Sequence, residues 1–211
     1  MRGQASTSLL SVIVLIILVA AGGDFALGVF GRVKQRQSES QGAAGLSPVA
    51  WQHHVFPTIK MEMDLPTKPF VLPVSLNARV KQYIVRDEEY SGQTSSLCYQ
   101  LGRTLMTGPF HYDFDKHFQR VARELQSHAG VADFQMGAVQ KLAWNGEPAE
   151  EVTIHFTASG TPVCLRHRVC VGSADWTYCQ AWYPVRSSST GDAAWSRMVG
   201  SLKDRGSRPL R

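Results

Sequence analysis

Charge is scarce in this 211-residue chain: 18% of its residues are Asp, Glu, Lys or Arg, while 44% are hydrophobic and five are Trp. That balance excludes a disordered, solvating role and suits a chain with a real interior. Cysteine is scarce as well. Cys98, Cys164, Cys170 and Cys179 form no Cys-x-x-Cys pair and no zinc-finger spacing, which excludes a dithiol redox motif and a cysteine-based structural metal site. No Gly-rich phosphate loop, His-Glu-x-x-His or Gly-x-Ser-x-Gly occurs, so no recognisable catalytic motif is present and no cofactor is expected. The net charge of +5 comes from scattered cations, concentrated only around Arg32–Arg36, Arg166–Arg168 and Lys203–Arg211. Nothing gathers them with stacking aromatics, and nucleic acid is not an expected partner.

Against this background one apolar run stands out. Leu9–Ala21, "LLSVIVLIILVAA", carries no charge and no polar face. As a helix it rises about 20 Å, short of the ~30 Å hydrocarbon layer, but continuation through Phe30 spans it. Two readings stay open: an uncleaved single-span anchor over residues 9–30, or a signal peptide cut after Ala21. Arg32, Lys34 and Arg36 follow the span and favour a cytoplasmic domain by the positive-inside rule. A short tail, residues 1–8, before an apolar run is also how exported proteins begin, and we read the domain as lying on the exported, periplasmic side. Residues 31–50 contain almost no large apolar side chain and read as a flexible tether.

The domain is expected over residues 51–203, with a frayed tail at 204–211. Thr58–Leu65 alternates, with Ile59, Met61, Met63 and Leu65 on one side, as a half-buried strand does, and Pro66 ends it. Further strands are expected at Arg79–Arg86 and Ser96–Met106. Asp113 caps a helix in which Phe114, Phe118, Val121 and Leu125 recur at helical spacing, with a stop at Gly130. Phe134–Trp144 and Glu150–Ala158 flank Asn145-Gly146, the pair suited to a tight hairpin turn. Thr161–Val171 and Trp176–Tyr183 form a second hairpin, with Leu165, Val169 and Val171 sharing a face with Trp176, Tyr178 and Trp182. Asp192 is expected to cap a closing helix striped by Trp195, Met198, Val199 and Leu202, whose place is on that aromatic face.

This order of elements resembles the PsbP-like fold, which includes the extrinsic photosystem protein, a Ran-binding relative and exported bacterial proteins. The resemblance covers Trp51–Lys203. It is carried by "MEMDLP", by the turn "WNGEPAEEV", and by "TYCQAWYP" followed by "WSRMVGSLK". It implies an α+β sandwich, an antiparallel sheet covered by helices, preceded here by one N-terminal transmembrane or signal helix. The lipid-attachment cysteine common in bacterial relatives is missing, which favours a retained helix as anchor. No functional residue of the family is matched.

Three groups of side chains are candidates for chemistry. His111, Asp113 and His117 in "HYDFDKH" are residue types that hold zinc-like ions, and on a helix Asp113 and His117 share a face. Arg166 and Arg168 alternate on one strand face, with Arg186 in the following loop, as a row that could receive an anion or pair with Glu150 or Glu151. Cys170 and Cys179 fall on one sheet face as diagonal neighbours and are the candidate disulfide. The expected function is a noncatalytic, membrane-tethered domain that binds or supports a protein partner at the membrane surface. The alternatives are an exported enzyme or metal-binding protein using the His111–His117 cluster, and a small-molecule binder with its pocket between sheet and helices.

Overall fold

The computed structural model describes residues 50–73 and 81–204. The expected tail and membrane-spanning segment, the tether up to residue 49, and the final residues 205–211 lie outside the described residues. Among those described, no helix is long and apolar enough to cross a membrane.

Among the described residues, two antiparallel sheets and two 14-residue helices make up the domain. Strands β1 (Gln52–Phe56) and β2 (Met61–Leu65) pair with the short last strand β11 (Lys203–Asp204) in the order β1-β2-β11. The larger sheet contains β3 (Phe70–Leu72), β4 (Ile84–Gln93), β5 (Cys98–Met106), β6 (Val131–Met136), β7 (Gln140–Trp144), β8 (Glu147–Ala158), β9 (Thr161–Val171) and β10 (Asp175–Pro184). Its order is β3-β4-β5-β10-β9-β8-β6, with β7 also on β8. Helix α1 spans Phe114–Ser127 and helix α2 spans Ser188–Ser201.

Several expectations hold. Ile59, Met61, Met63 and Leu65 are all at most 1% exposed. Asp113 is the N-cap of α1, accepting from the Lys116 amide at 3.0 Å. Asn145 and Gly146 take φ of 54° and 86°, the left-handed region that their hairpin turn requires. Val171 opposes Trp176, Val169 opposes Tyr178 and Leu165 opposes Trp182, as read from the sequence.

Others are corrected. The first strand is Gln52–Phe56, a pairing that "QHHVF" does not announce, and the Thr58–Leu65 alternation is broken by a turn whose Lys60 has φ 53°. The strand expected to end at Arg86 runs from Ile84 to Gln93, with a bulge between Ile84 and Arg86. The single strand expected at Phe134–Trp144 is two, β6 and β7, because the twelve-residue β8 is long enough to pair both along one edge. The tail does not fray at residue 204: Lys203 and Asp204 add to β2.

The largest correction concerns the aromatic face. Period-two alternation sends Trp176, Tyr178 and Trp182 to one face of the sheet and Cys179, Ala181 and Tyr183 to the other. The first set packs with residues of α1 and of the Phe110–Phe114 segment; the second packs with Trp195, Met198, Val199 and Leu202. Helix α2 therefore covers the opposite face from the one expected, beside the three-stranded sheet, and α1 covers the Trp face. Asp192 does not cap α2, which starts four residues earlier at Ser188 after Ser187. Gly191 is what lets this helix settle: a Cβ there would lie 2.4 Å from the Tyr183 ring.

Candidate functional site

On the α2 face, Arg166 and Arg168 do not form an open anion row. Both converge on Glu151 of β8, 3% exposed, which accepts from Arg166 Nε at 3.1 Å, Arg168 Nε at 2.7 Å and the Trp195 indole at 3.2 Å. Arg166 also donates to Asp192 at 2.8 Å, and Asp192 accepts from the Tyr183 hydroxyl at 2.6 Å. The Arg168 guanidinium lies 5.4 Å from the Trp144 ring centroid and 5.8 Å from that of Trp195. A charge buried this deeply is tolerated only when paired and hydrogen-bonded, and Glu151 meets that condition with two cations and an indole. Arg186 sits apart from them, exposed in the turn Val185–Ser187.

The structure does not bring His111, Asp113 and His117 together as ligands. Asp113 is occupied at the start of α1 by the Lys116 amide and ammonium, and His111 is exposed. His117 instead points into the core. Among the described residues no three His, Cys, Asp or Glu side chains are placed to hold a metal ion.

Cys170 and Cys179 are free thiols, as are Cys98 and Cys164. Cys170 opposes Thr177, and Cys179 opposes Arg168, so the two cysteines are diagonal neighbours on one face. Diagonal positions stand about 7–8 Å apart, beyond the span that a disulfide bridges. The Cys170 thiol points to the Trp144 carbonyl instead, at 3.6 Å.

The most elaborate constellation lies under α1 and was not singled out in the sequence. A file of buried polar side chains crosses the sheet from β4 to the helix. Gln100 donates its Nε2 to Glu89 at 3.2 Å and to the Tyr178 hydroxyl at 3.0 Å; Gln180 donates to Gln100 Oε1 at 2.7 Å. The Oε1 of Gln180 then faces His167 Nδ1 at 3.0 Å, and an amide oxygen only accepts, so Nδ1 of His167 carries the proton. His167 Nε2 is left as acceptor for His117 Nε2, 2.8 Å away. His117 is thereby protonated on Nε2, and its Nδ1 accepts from the Tyr112 hydroxyl at 2.8 Å, with Arg120 Nη2 at 3.5 Å. The two rings stack with centroids 5.0 Å apart and 13° between planes.

Burial sets the electrostatics of this file. It pushes His167 down to about 4, with Gln180 and Glu151 opposing and Arg120 reinforcing; it holds His117 well below the ordinary imidazole range, with His167 and Arg120 adding to it. At the other end burial, then the neighbouring Asp87, raises Glu89 to about 7. A signal was present in the chain: His167 and Gln180 fall in phase with the apolar positions Leu165, Val169, Tyr178 and Trp182, where a polar residue must find a buried partner.

Beside Glu89 the large sheet ends in β3, a three-residue edge between Pro69 and Pro73. Phe70 is 47% exposed and Val71 63%, and farther along β4 Val85 is 65% exposed. Lys68, two residues before Phe70, and Arg86, next to Val85, are exposed, Arg86 reaching Glu88 at 3.1 Å.

No protein-family model matches the chain, and no characterised protein sequence matches it. Solved structures do. The PsbP protein of the cyanobacterium Synechocystis, CyanoP, superposes with a TM-score of 0.51 at 7% identity, covering 77% of this chain and 96% of its own. LpqN of Mycobacterium tuberculosis, described as involved in cell envelope biogenesis, gives 0.42 at 14% identity over 69% of this chain and 83% of its own. The fold is therefore PsbP-like, as the resemblance implied; at these identities the likeness reaches the fold and no site.

Proposed function

We propose that this chain is a membrane-tethered, noncatalytic domain that binds a protein partner through the β3–β4 edge, on the exported side of the membrane. The observation that carries the reading is the exposure of the apolar Phe70 and Val71 on the edge strand β3 and of Val85 on its neighbour β4. An edge of that kind is completed by an extended strand, which supplies ladder hydrogen bonds and side chains at alternate positions. The exposed Lys68 beside Phe70 favours an occupant that carries an acidic side chain among its apolar ones. The apolar run at Leu9–Ala21 and the polar stretch Val33–Pro48 supply the anchor and leash in this reading.

A photocrosslinking side chain placed at position 71 of the full-length protein in native membranes is expected to yield one reproducible protein adduct. The double substitution Val71→Lys, Val85→Lys is expected to abolish capture of the same protein by a crosslinker at position 70. If position 71 captures nothing, or captures what a control crosslinker at Gln135 on the opposite edge captures, the proposal fails.

A further inference from the structure

The contact between His117 and His167 has a property that the surrounding apolar packing lacks: it is built from two buried titratable rings that are both neutral when the file is satisfied as described. In the neutral pair His167 Nδ1 donates to Gln180, His117 Nδ1 accepts from Tyr112, and one proton lies between the two Nε2 atoms 2.8 Å apart. A second proton turns the pair into a buried cation, and among the described residues no carboxylate is hydrogen-bonded to either ring. Placed on His167 Nε2 it faces the N–H of His117; placed on His117 Nδ1 it forces the Tyr112 hydroxyl to turn from donor to acceptor and sets an imidazolium against the Arg120 guanidinium.

We propose that this pair is an acid-operated catch, which holds α1 on the sheet while both rings are neutral and releases the helix, uncovering its apolar bed, when the pair is protonated. The groups packed around the pair give an imidazolium little relief. From α1 come Arg120, 6% exposed and cationic, and Glu124, which lies near Arg120 and His128. From β9 come only Arg166 and Arg168 on the far face, both spent on Glu151. β10 and β5 present the neutral Gln180, Tyr178 and Gln100; β4 presents Glu89 and Asp87 beyond Gln100; β8 presents Glu150, near Lys141 and Asp115, and, across the sheet, Glu151. Tyr112 holds its proton, raised far above its ordinary range by burial.

Release is local because the catch links α1 to the sheet centre, whereas α2 is fastened on the other face by Trp195 to Glu151 and by Trp144, whose indole donates to the Val199 carbonyl at 3.1 Å. What α1 leaves behind is an apolar bed of Ile154, Phe156, Leu165 and Trp182. A 14-residue helix detached from such a bed has no stability of its own in water.

The linkage has a definite sign. Both folded-state values lie below the 6.5 of an unfolded imidazole, so the unfolded or released form binds more protons, and the hold on α1 weakens as pH falls below about 6.5 toward 4. Hydrogen exchange of the full-length protein, compared at pH 7.5 and pH 5 after correction for intrinsic rates, is expected to show at least a tenfold loss of protection in residues 114–127 with residues 188–201 unchanged. The double variant His117→Gln, His167→Gln, which cannot titrate, is expected to keep its α1 protection the same at both pH values. The nitrogen shifts of the two wild-type imidazoles supply a readout that needs no variant: both rings should gain their proton over the same pH interval in which α1 protection disappears. The proposal is overturned if α1 protection is independent of pH, if both helices lose protection together, or if either ring becomes cationic while α1 stays protected.

Discussion

Asp204 on the last described strand and Arg103 in the middle of β5, 101 residues apart in sequence, meet through two hydrogen bonds, Nη1 to Oδ1 at 3.0 Å and Nη2 to Oδ2 at 3.2 Å. Arg103 is 5% exposed and also donates to Asp175 at 2.6 Å and to the Ile59 carbonyl at 3.1 Å. One guanidinium thus joins the C-terminal strand, the β2 turn and the large sheet.

Asp204→Asn removes the charge but keeps the shape, and should lower stability by about 1–3 kcal/mol, the range for losing a charge-assisted hydrogen bond at a partly buried site. Urea unfolding monitored by tryptophan fluorescence checks this. An unchanged midpoint would show that β11 contributes nothing to the fold.

Glu151→Gln should cost more, about 3–5 kcal/mol, because it strands two guanidinium groups around a buried position. Replacing Asp192, which is more exposed and meets only Arg166 and Tyr183, should cost no more than about 1 kcal/mol. Equal losses for the two variants would contradict the assignment of Glu151 as the hub.

Glu89 gives a pH dependence opposite in sign to that of the histidine pair. Its folded value, about 7, exceeds the 4.5 of the free side chain, so between those values the folded protein holds a proton that the unfolded chain has released. Stability falls as pH rises through that window, by about 3 kcal/mol in all. Glu89→Gln should therefore be more stable than wild type at pH 8 and no more stable at pH 4. Denaturant midpoints at the two pH values decide it; a variant weaker than wild type at pH 8 would mean that the carboxylate is better solvated than its 2% exposure implies.

The thiols should be four in number and slow to react. Burial raises Cys98, Cys170 and Cys179 to about 12, so at pH 8 little thiolate is present. Ellman's reagent should find less than one reactive thiol per chain in the folded protein and all four after unfolding without reductant. Two after unfolding would restore the disulfide.

How much of this was legible in the chain follows from the range of the interaction concerned. Strand phase, the Asp113 cap and the Asn145-Gly146 turn depend on neighbours within a few residues, so alternation, a carboxylate before an amphipathic run and a pair tolerant of positive φ were enough to read them. The sequence alone also determined that Trp176, Tyr178 and Trp182 share a face, since period two leaves no choice. Only the tertiary structure decided which helix covers that face, because either amphipathic stripe could lie on either side. It alone decided that Arg166 and Arg168 pair with Glu151 rather than stand open to an anion, and that His117 meets His167 from 50 residues away. The first pairing depends on the register of the β8–β9 hairpin, and the second on where α1 settles over the sheet, which is chosen by the packing of the whole core and which no local pattern encodes.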